Sequence, residues 1–264
     1  MNLKLAAIAF AAFSLSSSAL ADTIKLEIVG TGDGMEALNA LAADFVSNNT
    51  DISVQIPPSI GSGGGIAAVG SSRAVLGRVA RKLTDTERDA GIVYKPIARL
   101  PSAFFVHPSA NVQGLTAAQL VDIYEGRITN WKDAGGIDMR IRVVRREDAD
   151  STFIVLRGSM PGWKDIKITD RSKMATTTQE AIESVREVQG AIGFGPFSRT
   201  LDKGLTVLKI DDRFPTDDGY PSSVELALIF TDATITQPAR KFVDYATGER
   251  GREVIAGVGG VPAR

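Results

Sequence analysis

Ile24-Lys25-Leu26-Glu27-Ile28-Val29-Gly30-Thr31-Gly32-Asp33-Gly34-Met35 begins as an alternation of apolar and polar residues and breaks into a glycine-rich turn. Ile24, Leu26 and Ile28 fall on one side, the pattern of a half-buried strand. Past the turn, Met35, Leu38, Leu41, Phe45 and Val46 recur at helical spacing to about Asn48. Ile52, Val54 and Ile56 alternate again before Pro57-Pro58. Strand, helix and strand in such close order predict a βαβ unit, hence a parallel sheet covered by helices. The turn is not a dinucleotide fingerprint, because Met35 holds the third glycine position, and no Walker lysine follows it.

The same alternation continues along the chain. Ile60-Gly61-Ser62-Gly63-Gly64-Gly65 opens a short helix, and Ala74–Val79 reads as a strand. Thr84 with Glu87, and Thr116 with Gln119, have capping-box spacing; the second precedes a helix that Gly126 stops. Ser102–Val106 and Ile141–Arg145 read as strands, Ser151–Gly158 and the stretch around Ala181–Val188 as helices, and Ala191–Phe197 as a glycine-rich turn. Leu205–Ile210 and Val224–Phe230 read as strands, and Pro238–Thr247 and Arg250–Ala256 as closing helices.

Composition narrows the function. The 264 residues are 44% apolar and 23% charged, as in soluble globular proteins. The length suits one large domain or two lobes of roughly 100–130 residues. A net charge of −1 gives no footprint for nucleic acid. Lys4, the apolar run Leu5–Leu15 and Ala19-Leu20-Ala21 form a signal peptide cleaved after Ala21, which places the mature chain in the periplasm; a buried N-terminal helix is the alternative. Its removal takes the net charge to −2.

There is no cysteine, which removes disulfides, thiolate metal sites and cysteine nucleophiles. His107 is the only histidine, so a Ser-His-Asp triad would have to use it, and a transition-metal site lacks ligands. Asp211-Asp212 and Asp217-Asp218 lack the spacing of a calcium loop. Trp131 and Trp163 read as packing residues. No cofactor and no enzyme chemistry are expected.

Two turns carry what chemistry remains. In IGSGGGI (60–66) small residues let backbone N–H groups approach a guest. In Arg145-Arg146-Glu147-Asp148-Ala149-Asp150-Ser151-Thr152 a guanidinium, hydroxyls and carboxylates stand beside the next helix start. Helix N-termini receive small anions. Two such cradles, far apart in sequence, suggest an anion held between two lobes.

In order along the chain, GTGDGM (30–35), IGSGGGI (60–66), LVDIYEGRITNW (120–131), VVRREDADST (143–152) and QGAIGF (189–194) resemble motifs of the phosphate-binding proteins of bacterial ABC importers. That resemblance implies a type II periplasmic-binding-protein fold, two α/β lobes with the ligand in the cleft between them. Residues 22–101 plus 222–264 would form lobe 1 and 102–221 lobe 2, with crossings near Leu100–Val106 and Tyr220–Phe230. It implies a solute-binding protein that delivers inorganic phosphate to the permease of an ABC importer. A binder of another tetrahedral oxyanion, a phosphate-sensing module and a secreted phosphatase are the alternatives.

Residue by residue, the resemblance gives Gly34 and Met35 as backbone donors in the first turn, and Ser62 as hydroxyl and N–H ligand with Gly63 extending that turn. It gives Arg146 as the phosphate arginine, Asp148 as the acid that orients it, and Thr152 as the terminal hydroxyl donor. The chain also departs from the pattern. Ala80 stands where the family carries an aspartate that accepts the phosphate proton, Asp150 where it usually has serine, and Ser151 where it usually has glycine. Arg78 and Arg81 add positive charge near the lost aspartate. Asp150, directly before a helix start beside Arg146, is taken as the replacement acceptor and joins Ser151 among the candidate ligands. Asp33 is the other candidate for the acceptor, and a plain helix cap is the other reading of Asp150.

Overall fold

The computed structural model describes residues 23–263; the expected leader over residues 1–21 lies outside them. The chain opens with β1 (Ile24–Glu27), β2 (Val29–Gly30), α1 (Met35–Ser47) and β3 (Ile52–Gln55). β1 and β3 pair in parallel, Ile24 opposite Ile52, as the βαβ pattern requires. α1 buries Leu38, Leu41 and Phe45. Gly34 caps it in the left-handed region at φ 73°. A Cβ there would lie 2.6 Å from Leu226 Cδ2, so both conformation and space demand glycine.

α2 (Gly61–Gly70), β4 (Gly77–Val79) and α3 (Asp85–Asp89) follow. The glycine run is the first turn of α2 itself rather than a loop before it. Helical glycine costs about 1 kcal/mol relative to alanine. Gly65 supplies a compensating reason: a Cβ there would sit 2.9 Å from Gly30 Cα, so its absence lets α2 lie on β2. The Thr84–Glu87 capping box forms at α3.

β5 (Ile92–Val106) is longer than the strand expected over Ser102–Val106. Pro96 and Pro101 mask its first ten residues in the sequence, because proline cannot donate to a ladder. Next come β6 (Gly114–Leu115), α4 (Ala117–Tyr124), β7 (Arg142–Arg146), α5 (Ser151–Ser159), β8 (Lys173–Ala175), α6 (Thr178–Glu187) and β9 (Ala191–Pro196). β9 corrects the reading of Ala191–Phe197 as a turn. All six of its residues are buried. A Cβ on Gly193 would lie 2.8 Å from Val185 Cγ2, so the glycine brings α6 against the sheet. The chain closes with β10 (Thr206–Val207), β11 (Lys209–Ile210), β12 (Ser223–Thr231), α7 (Gln237–Thr247), α8 (Glu249–Gly257) and β13 (Val261–Pro262).

The main sheet runs β2-β4-β12-β5-β9-β7-β8. β5 is shared between two halves: Ile92–Pro101 pair with β12, and Ser102–Val106 with β9. Around the first half lies a core of Leu26, Leu41, Phe45, Leu100, Leu226 and Phe242. Around the second lies one built on Phe104, Tyr124, Phe153, Trp163 and Phe194. This is the two-lobe α/β arrangement implied by the resemblance. The lobes meet at Ser102 and Ser222, where Ser102 N–H donates to Ser222 O at 2.9 Å and Ser222 Oγ donates to Ser102 Oγ at 2.9 Å. α5 straddles the junction. Phe153 and Leu156 belong to the second core while Val155 packs against the first, and Ser159 Oγ donates to Ser222 Oγ at 2.8 Å.

The glycines of α2 separate into two kinds. A Cβ on exposed Gly63 meets nothing within 4 Å. Gly63→Ala is expected to stabilise the protein by up to about 1 kcal/mol. Gly65→Ala is expected to destabilise it, because backbone atoms of β2 must shift. Urea-unfolding midpoints of the two variants check this, and the opposite order would contradict the packing of α2 on β2.

Candidate functional site

β7 ends at Arg146, and a tight turn delivers the chain to α5. Asp150 caps that helix: its Oδ1 accepts from Phe153 N–H at 2.9 Å, and its Oδ2 pairs with Arg146 Nη2 at 2.7 Å. Two further contacts orient Arg146 and leave an Nη1 N–H over. Nε donates to Ala175 O at 3.2 Å, and Nη1 donates to Thr178 Oγ1 at 2.9 Å. A guanidinium held from several sides is a planar fork in fixed orientation, suited to two oxygens of one anion.

The first turn of α5 faces the other lobe. Ser151 Oγ lies 2.8 Å from Ser62 Oγ, which also accepts from Ala80 N–H at 3.0 Å. The Ser62 hydroxyl thus has one partner in its own lobe and one in the other. Thr152 Oγ1 donates to Asp33 Oδ2 at 3.0 Å, and Thr178 Oγ1 donates to Asp33 Oδ1 at 2.5 Å. Asp33 N–H in turn donates to Thr31 Oγ1 at 3.1 Å. Gln179 Nε2 donates to Gly32 O at 3.0 Å, closing the same seam. Asp33, Ser62, Arg146, Asp150, Ser151, Thr152 and Thr178 are each at most 7% exposed.

The sequence-predicted residues divide accordingly. Ser62, Arg146, Asp150, Ser151 and Thr152 converge on one buried place. Gly34 and Met35 open α1 one residue beyond Asp33, and with Thr178, Gln179 and Phe197 they line an interlobe crevice of about 190 Å³. Gly63 lies exposed on the first turn of α2. Asp148 does not orient Arg146. It is exposed and pairs with Arg157 at 3.1 Å, and Asp150 holds the arginine instead. The reason is geometric: Asp150 lies four residues past Arg146 and faces back across the turn, whereas Asp148 points outward from it.

Arg81 is taken up by Glu87 at 2.8 Å. His107 turns back on its own chain, its Nδ1 accepting from Ser109 N–H at 3.1 Å. Trp131 and Trp163 are fully buried, as packing residues should be. Thr178 and Gln179 escaped the sequence reading. Their signal was present in Thr177, which caps α6 by accepting from Glu180 N–H at 3.1 Å. That spacing marks a third helix N-terminus beside the two cradles.

Charge in the site is unevenly compensated. Burial and the nearby Asp33 carboxylate push Asp150 up to about 7, against the pull of Arg146 and the Phe153 N–H. Asp33 receives hydroxyls and has no cation partner among the described residues. The arrangement thus offers hydroxyl, N–H and guanidinium donors from both lobes around one carboxylate acceptor. Such a set suits a small tetrahedral oxyanion that still carries a proton.

Comparison with known proteins agrees with this architecture. A model of the PBP superfamily domain matches residues 16–250. The phosphate-binding protein PstS of Bacillus subtilis is 29% identical over 237 residues, covering 85% of this chain and 76% of that one. Among solved structures, a candidate phosphate ABC transporter substrate-binding protein with bound phosphate from Clostridium perfringens superposes with a TM-score of 0.81 at 28% identity. It covers 91% of this chain and 100% of its own. An ABC-type phosphate transport receptor from Vibrio cholerae shares the fold at a TM-score of 0.66 and 22% identity, over 90% of this chain and 100% of its own. The chain belongs to the PBP superfamily.

Proposed function

We propose that this protein is exported, captures inorganic phosphate between its two lobes and delivers it to the permease of an ABC importer. The observation that carries the reading is the buried convergence of Arg146, Ser62, Ser151 and Thr152 around Asp33, with donors drawn from both lobes. The names borne by its relatives in Bacillus subtilis and Clostridium perfringens support it. In this reading Arg146 takes two phosphate oxygens, the hydroxyls of Ser62, Ser151, Thr152 and Thr178 turn from their present partners to donate to the others, and the N–H groups of Gly34 and Met35 complete the shell. No bond is made or broken; fixed donors replace the water shell of the anion.

The proton acceptor in this reading moves from Asp150 to Asp33. Asp150 is paired with Arg146 and committed to its helix cap. Asp33 has no cation partner among the described residues, so it gains most from a proton on the guest and repels an anion that has none. At neutral pH phosphate usually keeps a proton and sulfate does not, which makes Asp33 a repulsive element against sulfate.

Calorimetry of the mature chain, stripped of bound anions, tests the reading: phosphate binds and sulfate binds far more weakly. Asp33→Asn is expected to narrow that gap by about tenfold or more, since a hydrogen bond to a charged group is worth about 1.5–3 kcal/mol. Unchanged selectivity in Asp33→Asn would return the acceptor role to Asp150. Because the site is buried on all sides, methyl phosphate and methylphosphonate should bind at least tenfold more weakly than phosphate. Equal affinities would mean that the site opens toward a larger ligand.

The raised Asp150 has a consequence for stability. Folding lifts its pKa from 3.8 to about 7, so between these values the folded protein holds a proton that the unfolded chain releases. The contribution of this group is therefore most favourable at the acid end of that window and is lost as pH rises to about 7. Thermal midpoints should fall from pH 5 to pH 8 more steeply in the parent than in Asp150→Asn. Parallel profiles would show that Asp150 ionises normally.

A further inference from the structure

Arg78 is fully buried, yet its side chain touches none of the groups placed around the anion. Its Nε donates to Thr31 O at 2.6 Å, its Nη2 to Pro57 O at 2.7 Å, and its Nη1 to Ile28 O. Those carbonyls come from two segments: the entrance to the first glycine turn, and the Pro57–Ile60 stretch that leads into α2. The three acceptors are met by three different nitrogens, a spread that the planar guanidinium fork provides and that neither a neutral amide nor the single nitrogen of an ammonium can match. Burial lowers its pKa to about 10, so it remains charged at neutral pH.

A carbonyl oxygen facing the cleft would repel an anion. Across a planar trans peptide, C=O and N–H point in opposite directions. Pinning Thr31 O beneath the turn therefore turns Gly32 N–H to the other side. Ile60 N–H performs the matching task for Gly30, donating to Gly30 O at 2.9 Å. We propose that Arg78 is a positioning residue of the anion site, which gathers the carbonyls of Ile28, Thr31 and Pro57 so that both turns of the first lobe present donors to the cleft. The proposal rests on the phosphate reading.

The test compares Arg78→Lys, Arg78→Met and a control in the first core, Leu41→Ala, whose side chain lies about two helical turns along α1 from Gly34. Phosphate calorimetry is combined with thermal unfolding and with amide NMR of Gly32 and Gly34. Arg78→Lys keeps the charge but loses the fork. It is expected to fold, to lose about tenfold or more in phosphate affinity, and to lose the phosphate-induced shifts of Gly32 and Gly34 while those of Thr152 remain. Leu41→Ala, with comparable or greater loss of thermal stability, should keep parent affinity. If Arg78→Met does not fold, Arg78→Lys decides alone. Parent-like affinity and amide shifts in Arg78→Lys would overturn the proposal, as would an equal affinity loss in Leu41→Ala. A parent protein that binds no phosphate would overturn the functional reading and this inference with it.

Discussion

The contact on which the structure turns is the meeting of the first turn of α5 with the opposite lobe. Ser151 reaches Ser62 and Thr152 reaches Asp33, at 2.8 Å and 3.0 Å. Those distances exist only if the two lobes stand at one particular approach. The same helix has Phe153 and Leu156 in the second core, Val155 against the first, and Ser159 tied to Ser222 at the crossing. A single helix thus links the candidate binding groups at one end to the crossing strands at the other. Helical rise makes the nine residues of α5 about 13 Å long, which fixes how far the binding groups stand from the junction.

Electrostatics follows from that closeness. Arg146 and Asp150 form a buried pair from the same lobe, and Asp33 arrives from the other lobe with no cation partner among the described residues. A buried ion pair adds little net stability because desolvation offsets attraction. Its value here is orientation: Asp150 holds the guanidinium, and the hydroxyl of Thr178 links that guanidinium to Asp33. The first lobe reaches a similar end with Arg78, whose charge faces backbone carbonyls instead of a carboxylate. The two lobes therefore prepare their halves of the site by different means, one with a side-chain ion pair and one with oriented peptide groups.

Much of this arrangement was readable from residue order. The alternation around Ile24–Ile56 located the βαβ unit, and the Thr84 and Thr116 capping boxes located two helix starts. The failures share a cause. Pro96 and Pro101 conceal most of β5, and Gly193 and Gly195 conceal β9, because both strands are shaped by what packs against them rather than by local preference. In the site, Arg146, Ser62 and Thr152 could be located by motif, but the partner of Arg146 could not. Asp148 and Asp150 are equivalent on paper, and only the direction of the turn separates the acid that pairs with Arg157 from the one that holds Arg146. Thr178 and Gln179 come from a segment with no binding motif and enter the site only because α6 points its N-terminus across the cleft.

The central claim is that an oxyanion is gripped from both lobes at once. Small-angle X-ray scattering of the mature chain, stripped of anions and then titrated with phosphate and separately with sulfate, addresses it most directly. The account predicts that the radius of gyration decreases and saturates with phosphate at the stoichiometry of one site, while sulfate at the same concentrations leaves the profile unchanged. A profile unaltered by phosphate under conditions where calorimetry registers binding would contradict it, because binding would then proceed without drawing the two lobes together.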